Sequence, residues 1–454
     1  MVNQVNGNNL PEEVRKKQVK KAAIASIVGT SIEWYDFFLY GTMAALVFPR
    51  LFFPDNDPYI ATLQSFATFF VGFLARPIGA AVFGAFGDKI GRKATLVATL
   101  LFMGISSTLI GLVPSHEQIG VAAPILLVLL RFCQGIGVGG EWGGSVVLST
   151  EWSPKKHRGL MGSMTQLGVP IGLFTSTAMV SLLIYLTGDS FYTWGWRIPF
   201  LISLLLVGFG LYIRNGVMES PQFTKMKAEK RIAKKPVLEV IKNHPKEIML
   251  TSFARLAEQA PFYIFTTWVI TYGVENLKLD EQIFTNANSV GSILELFCLP
   301  LFAFLSDRFN RKKVYVTGCI LTLAMSFPFF WVLDTGNILW IFIAIGACHV
   351  INTVLYGPQA ALIAESFPTH LRYSGASLGY QCASLIGGGI APMICVYLLH
   401  KFGSTVPISL YIIGLCIIST ISVLKLKDYS SRDMGENLPL HPINENMTVG
   451  SDVS

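Results

Sequence analysis

Gly84-Ala85-Phe86-Gly87-Asp88-Lys89-Ile90-Gly91-Arg92-Lys93 is a short charged turn set between two long apolar runs. Ala303-Phe304-Leu305-Ser306-Asp307-Arg308-Phe309-Asn310-Arg311-Lys312 lies between two more, nearly half the chain further on. A polar hairpin wedged between membrane-length segments and repeated at half-length points to two fused copies of one membrane unit. Such a chain places a binding site between its halves.

Composition agrees. The chain has 454 residues, of which 52% are hydrophobic and only 14% charged, and its mean hydropathy is +0.52. A soluble domain carries about 25% charged residues, so the excess apolar surface must face lipid. The apolar runs are about 20 residues long and show no strand alternation, which predicts helices. Twelve such runs are expected. Residues 1–21 read as a polar tail, 22–213 as a first six-helix bundle, 214–248 as a linker, 249–426 as a second bundle and 427–454 as a polar tail.

The net charge of +7 is a topology signal before it is a partner signal. With the amino terminus placed in the cytoplasm, only Arg50, Lys278 and Lys401 fall on outer loops, while Arg76, Arg131, Arg197 and Arg255 fall within spans. The remaining Lys and Arg lie on inner loops and tails. This is the positive-inside pattern with both termini cytoplasmic, and it argues against a nucleic-acid partner. The seven cysteines all fall inside runs and lack metal-ligand spacing, so no metal site is expected. Asn446-Met447-Thr448 matches a glycosylation sequon but lies on the inner side.

A second echo supports duplication. Glu151-Trp152-Ser153-Pro154 leads to Arg158, and Glu365-Ser366-Phe367-Pro368 leads to Arg372, with the same spacing. In the first turn, Gly84 permits close helix approach, and Asp88 can bond free amides at a neighbouring helix start, where the macrodipole favours an anion. Gly91 belongs to the same turn. Arg92 and Lys93 can reach a carboxylate such as Glu151. A cluster of this kind forms in one arrangement of helices and breaks in another, so it can act as a latch. Asp307, Arg308 and Arg311 are its C-half counterparts.

Intramembrane charges are the other signal: Glu33, Asp36, Arg76, Arg131, Glu141, Arg255, Glu258 and Glu295. Each costs about 2.5–3.5 kcal/mol at the bilayer centre on insertion scales. The acids outnumber the bases, so one-to-one pairing leaves carboxylates able to carry a proton. Glu33 and Asp36 share one face of the first helix with Tyr40, and Arg131, Gln134 and Glu141 form a stripe on the fourth. Glu33, Asp36 and Glu141 are the candidates for proton coupling. Arg131 and Arg76 are the candidates for holding a substrate carboxylate, with Tyr40 and Gln134 beside them; Glu141 could instead tune Arg131. Arg255 and Glu258 read as a structural pair. Gly135-Ile136-Gly137-Val138-Gly139-Gly140 matches a dinucleotide fingerprint only formally, since no strand precedes it. Gly135, Gly139 and Gly143 instead line one helix face. Trp194, Trp196, Trp331 and Trp340 fit an interfacial belt.

These turns, with Arg131-Phe132-Cys133-Gln134-Gly135, resemble the signatures of the major facilitator superfamily. Glu33-Trp34-Tyr35-Asp36, Ala75-Arg76-Pro77, Gly139-Gly140-Glu141-Trp142, Trp194-Gly195-Trp196-Arg197, Glu219-Ser220-Pro221 and Phe367-Pro368-Thr369-His370-Leu371-Arg372 resemble its metabolite:proton symporters, a group that carries shikimate, 2-oxoglutarate, citrate and proline or betaine. The resemblance runs from about residue 20 to residue 427. It implies an all-α membrane protein of twelve helices in two pseudo-symmetric bundles, alternating access, and uptake driven by protons in a bacterial plasma membrane. It implies no cofactor beyond the coupling proton, no enzymatic activity and a functional monomer. It also carries the latch role to Asp88 and Arg92. The second turn departs from the pattern, with Ala303 and Asn310 replacing glycines, so a looser C-half latch is expected. Compatible-solute uptake and uncoupled facilitation remain as alternatives.

Overall fold

The computed structural model describes residues 11–229 and 235–429; the sequon at Asn446 lies outside them. Among these described residues, twelve long helices or broken helices form two bundles. The first bundle comprises α1 (Glu12–Leu46), α2 (Pro58–Lys89), α3 (Arg92–Leu112), α4 (Ala122–Trp152), α5 (Arg158–Gln166 continuing as Gly168–Thr187) and α6 (Arg197–Asn215). The second comprises α7 (Pro245–Ala254 through Val269–Glu275), α8 (Glu281–Phe309), α9 (Arg311–Leu333), α10 (Ile338–Glu365), α11 (Arg372–Ala383 through Ala391–Phe402) and α12 (Val406–Lys425). Ten of these are long and apolar enough to cross a bilayer. The other two, α1 and α7, are the helices richest in polar residues or breaks.

α1 begins at Glu12, with Glu12 and Glu13 in its first turn, where negative charge suits the helix dipole. It therefore starts well before the apolar run does. The linker is also more ordered than its polarity suggests. Ser220 caps a short helix, Pro221–Ala228, by accepting from Phe223 N, and a second short helix spans Pro236–Asn243.

Packing follows the small residues. A Cβ on Gly135 or Gly139 would run into the Gly72 and Arg76 carbonyls of α2, so these glycines let α2 and α4 touch backbone to backbone. Gly168 and Gly172 do the same for α5 against Thr30 and Trp34 of α1. Trp194, Trp331 and Trp340 lie exposed at helix ends, as a belt requires, but Trp196 does not. It is fully buried against Phe48, Phe52 and Phe200, because its ring turns into the bundle at the start of α6.

Two helices of the second bundle carry π-helical turns, Ile264–Trp268 in α7 and Ser384–Gly389 in α11. Such turns free backbone groups and often mark functional positions. The bundles meet mainly through α2, α4 and α5 on one side and α8, α10 and α11 on the other. An even number of spans brings the start of α1 and the end of α12 to one face, which also bears the two charged turns; we call it the basic face.

Candidate functional site

The basic face is held by two clusters related by the internal repeat. In the first, Asp88 accepts from the backbone N–H groups of Tyr373 (3.3 Å) and Ser374 (2.9 Å), the opening residues of the α11 segment that starts at Arg372. An anion here satisfies orphan amides and meets the positive end of the helix. Arg92 lies 3.4 Å from both Asp88 and Glu151 and donates to the Thr369 carbonyl at 3.0 Å. Arg372 of the other bundle donates to Glu151 at 3.0 Å. In the second, Asp307 accepts from Gly159 N (2.8 Å) and Leu160 N (3.0 Å) at the start of α5. Arg311 binds Asp307 at 3.0 Å and Glu365 at 2.8 Å, and Arg158 of the first bundle lies 3.7 Å from Glu365.

The C-half turn, expected to be looser, makes contacts of the same kind as the N-half turn. Ala303 fits because its neighbours across the contact, Gly159 and Gly357, give up their side chains instead. Asn310 takes the positive φ (94°) that Gly91 takes (122°), and its side chain caps the next helix through Lys312 N at 3.0 Å. Other members of the expected latch lie elsewhere. Arg308 is exposed, its guanidinium 5.7 Å from the Phe309 ring. Lys93 Nζ donates to the Asn215 carbonyl at 2.9 Å. Gly84 meets the expectation of close approach, since a Cβ there would come within 2.8 Å of Ser374 Cα.

Deeper in the molecule, the charges sort into paired and unpaired. Glu141 forms an ion pair with Arg214 at the end of α6 and accepts from Thr99 at 2.8 Å. It pairs with neither Arg131 nor Gln134 of its own stripe; Ser145, one turn further on, donates to it at 3.3 Å. Arg255 and Glu258 pair at 3.2 Å, and Glu295 meets His349 at 3.0 Å. What remains are two acids and two bases. Glu33 and Asp36 are buried, and Glu33 Oε2 and Asp36 Oδ2 find no hydrogen-bond partner. Asp36 accepts from Ser203 at 2.5 Å. Arg76 lies among the rings of Trp34, Phe37 and Phe73, 4.5–5.7 Å from their centroids. Arg131 lies 4.1 Å from the Tyr40 ring centroid, with Phe37 and Phe69 beside it. It donates to Gln134, while its Nε and Nη2 are unpartnered. Among the described residues, neither arginine has a carboxylate within ion-pair distance.

A relay ties this centre together. Gln134 donates to Ser107 at 2.7 Å, and Ser107 lies beside the Asp36 carboxyl. Tyr40 instead spends its hydroxyl on Thr68 at 2.7 Å, so it supplies a ring face to Arg131. From the second bundle, Tyr263 Oη and both polar atoms of Gln259 are buried and unpartnered, and the Tyr263 ring lies 5.9 Å from that of Phe73.

Residues 58–392 match the family model described as the Major Facilitator Superfamily. The chain belongs to this superfamily. It is 42% identical to the shikimate transporter of Escherichia coli (strain K12), over 90% of this chain and 95% of that one. It is 33% identical to a glycine betaine/proline/ectoine/pipecolic acid transporter of Dickeya dadantii (strain 3937), over 92% and 85%. Its fold is similar to that of a proton:xylose symporter, with a TM-score of 0.74, 16% identity and coverage of 90% and 95%. It is thus a multi-pass membrane transporter and not an enzyme.

Three kinds of residue in this transporter escape a linear reading. Arg158, Glu365 and Arg372 were visible in the echoed Glu-Pro-Arg motif but carry no sign that they cross between bundles. Arg214 looks like linker charge because it falls one residue past the apolar run. His349 lies in an uninterrupted apolar helix, where a lone histidine usually just packs.

Proposed function

We propose that this transporter is a proton-coupled importer of a small organic acid, with shikimate or a dicarboxylate as examples, working by alternating access in a bacterial plasma membrane. The observation that carries the reading is the pair of buried arginines, Arg76 and Arg131, that lack a carboxylate partner. A buried guanidinium without a counter-ion is costly, and a substrate carboxylate offers bidentate compensation. Glu33 and Asp36 stand beside them as carboxylates with unpartnered oxygens. Protonation of either one would relieve the charge that a bound anion brings with it. The basic face and both termini are then cytoplasmic, and the two Asp-centred clusters are the shut inner gate of an outward-facing monomer.

A betaine-type substrate fits less well. Its quaternary ammonium would seek an open aromatic box, and the box formed by Trp34, Phe37 and Phe73 is filled by Arg76. The deciding experiment is uptake into proteoliposomes under an imposed pH gradient, with shikimate, dicarboxylates, aromatic acids and betaines compared. Accumulation of an acid that collapses with the gradient supports the reading. Uptake without substrate-induced proton movement would make the protein a facilitator, and uptake of betaines alone would reassign the site.

A further inference from the structure

The second bundle contains a titratable pair that the site above does not use. His349 on α10 is buried, and its two ring nitrogens face different partners. Nδ1 lies within ion-pair distance of Glu295 Oε1 of α8, at 3.0 Å, although neither atom makes an aligned hydrogen bond, and Nε2 lies 3.2 Å from Asn288 Oδ1, also of α8. The orientation of Asn288 is fixed by chemistry, because its other amide atom lies 2.7 Å from the Thr266 carbonyl. A carbonyl only accepts, so the atom facing it is Nδ2, and the atom facing His349 is an acceptor oxygen. His349 Nε2 must therefore carry a proton. A bare Nδ1 held 3.0 Å from an ionised Glu295 would set two lone pairs against each other. The contact needs one more proton, on Nδ1 as imidazolium or on the Glu295 carboxyl.

We propose that Glu295 and His349 form a second proton-binding site, which holds one shared proton in this arrangement and ties down the π-helical turn of α7. The far end of the chain is that turn: Thr266 lies within Ile264–Trp268, where a helix departs from regular bonding and its carbonyls need outside partners. Loss of the proton breaks the Nδ1 contact or forces the ring to turn. Either frees Asn288 and with it Thr266. The other groups facing the pair do not replace this proton. Glu258 of α7 is already paired with Arg255, Cys298 and Cys348 are thiols near the pair, and Thr322, Met325 and Asn352 are neutral. This site lies in the second bundle and needs neither Glu33 nor Asp36, so it stands whichever acid of α1 couples transport.

The test uses full-length protein in lipid nanodiscs with labelled histidine. His349 signals are identified by their loss in H349Q, and the Glu295 carboxyl by its infrared band lost in E295Q. At about pH 6 we expect either both ring nitrogens protonated or Nδ1 bare with Glu295 protonated. A bare Nδ1 beside an ionised Glu295 overturns the proposal. Hydrogen exchange of the Ile264–Trp268 turn, divided at each pH by the rate of an unstructured amide so that only lost protection is read, supplies the second arm. In the natural protein it should step up as pH rises between about 5 and 9. In N288A it should be high throughout. In E295Q it should be low throughout, because a glutamine amide can donate to a bare Nδ1 without any extra proton. Exchange in the natural protein that ignores pH, or an E295Q profile that still shows the step, overturns the switch.

Discussion

Asp307 accepts a hydrogen bond from Gly159 N at 2.8 Å, across the bundle boundary, as Asp88 accepts one from Ser374 N at 2.9 Å. The two aspartates do the same work from opposite bundles. Each contact is charge-assisted and contributes about 1.5–3 kcal/mol, and every 1.4 kcal/mol is about tenfold in an equilibrium. D307N is therefore expected to shift the balance away from the closed basic face by about tenfold or more, matching D88N. Labelling of a cysteine placed between the two bundles at the basic face measures it. A D307N protein that behaves as wild type while D88N fails would show the two clusters to be unequal.

Gly84 makes a prediction of a different kind. Its hypothetical Cβ meets Ser374 Cα, a backbone atom that cannot move aside. G84A should fold, since only the inter-bundle contact is obstructed, yet be unable to close the basic face. Uptake should fall at least tenfold with little change in detergent melting temperature. A303G, where the partner glycines already provide space, should keep most of its uptake.

The sequence made the twelve spans and the duplication legible because both are written in hydropathy and in repeated short motifs, which need no knowledge of packing. It also placed Asp88, Arg92 and Glu151 in one cluster, because they fall at helix ends on one face. It could not show that Glu151 takes its second arginine from Arg372 of the opposite bundle, since a contact across a duplicated interface has no fixed sequence spacing. The same limit hid the pairing of Glu141 with Arg214. Counting acids against bases within spans left carboxylates over. The structure leaves two arginines over as well, because Glu141 pairs with Arg214 and Glu295 lies against His349.

That pairing is testable through stability. Glu141 and Arg214 are both buried, and removing one partner of a buried pair costs about 3–5 kcal/mol. R214Q is expected to lower the melting temperature of the purified protein sharply. R214M combined with E141L, which removes both charges, should recover much of the loss. A double variant no more stable than R214Q would mean that Arg214 acts through something other than Glu141.

Glu219 links the linker to the first cluster. It accepts from the backbone N–H of Arg92 at 3.1 Å and of Lys93 at 3.2 Å. Burial pushes its carboxyl above the ordinary 4.5, and these bonds only partly offset the shift. A raised folded value means that the folded protein favours the protonated form. The resulting stability is full below the ordinary value and is lost as pH rises through the raised one. Limited proteolysis of the linker should accelerate as pH climbs from 4.5 through that window, then level off. E219Q, which cannot ionise, should remove the pH dependence. Faster cleavage on acidification would reverse the sign and count against this account.

Arg131 and the two acids of α1 divide the proposed transport cycle into separate measurements. Arg131 is held by ring faces and by Gln134, so its remaining N–H groups are already oriented when substrate arrives, and a lysine would offer a point charge without the fork. R131K should raise the apparent KM about tenfold or more while changing kcat less, the pattern of lost binding. E33Q combined with D36N should leave substrate exchange between equal pH compartments intact, because the anion site is untouched. The same double variant should lose accumulation under a pH gradient, because no unpaired carboxylate remains beside Arg76 and Arg131. Accumulation that persists in E33Q with D36N would move the coupling proton elsewhere. An unchanged KM in R131K would leave Arg76 as the sole candidate for holding the substrate carboxylate.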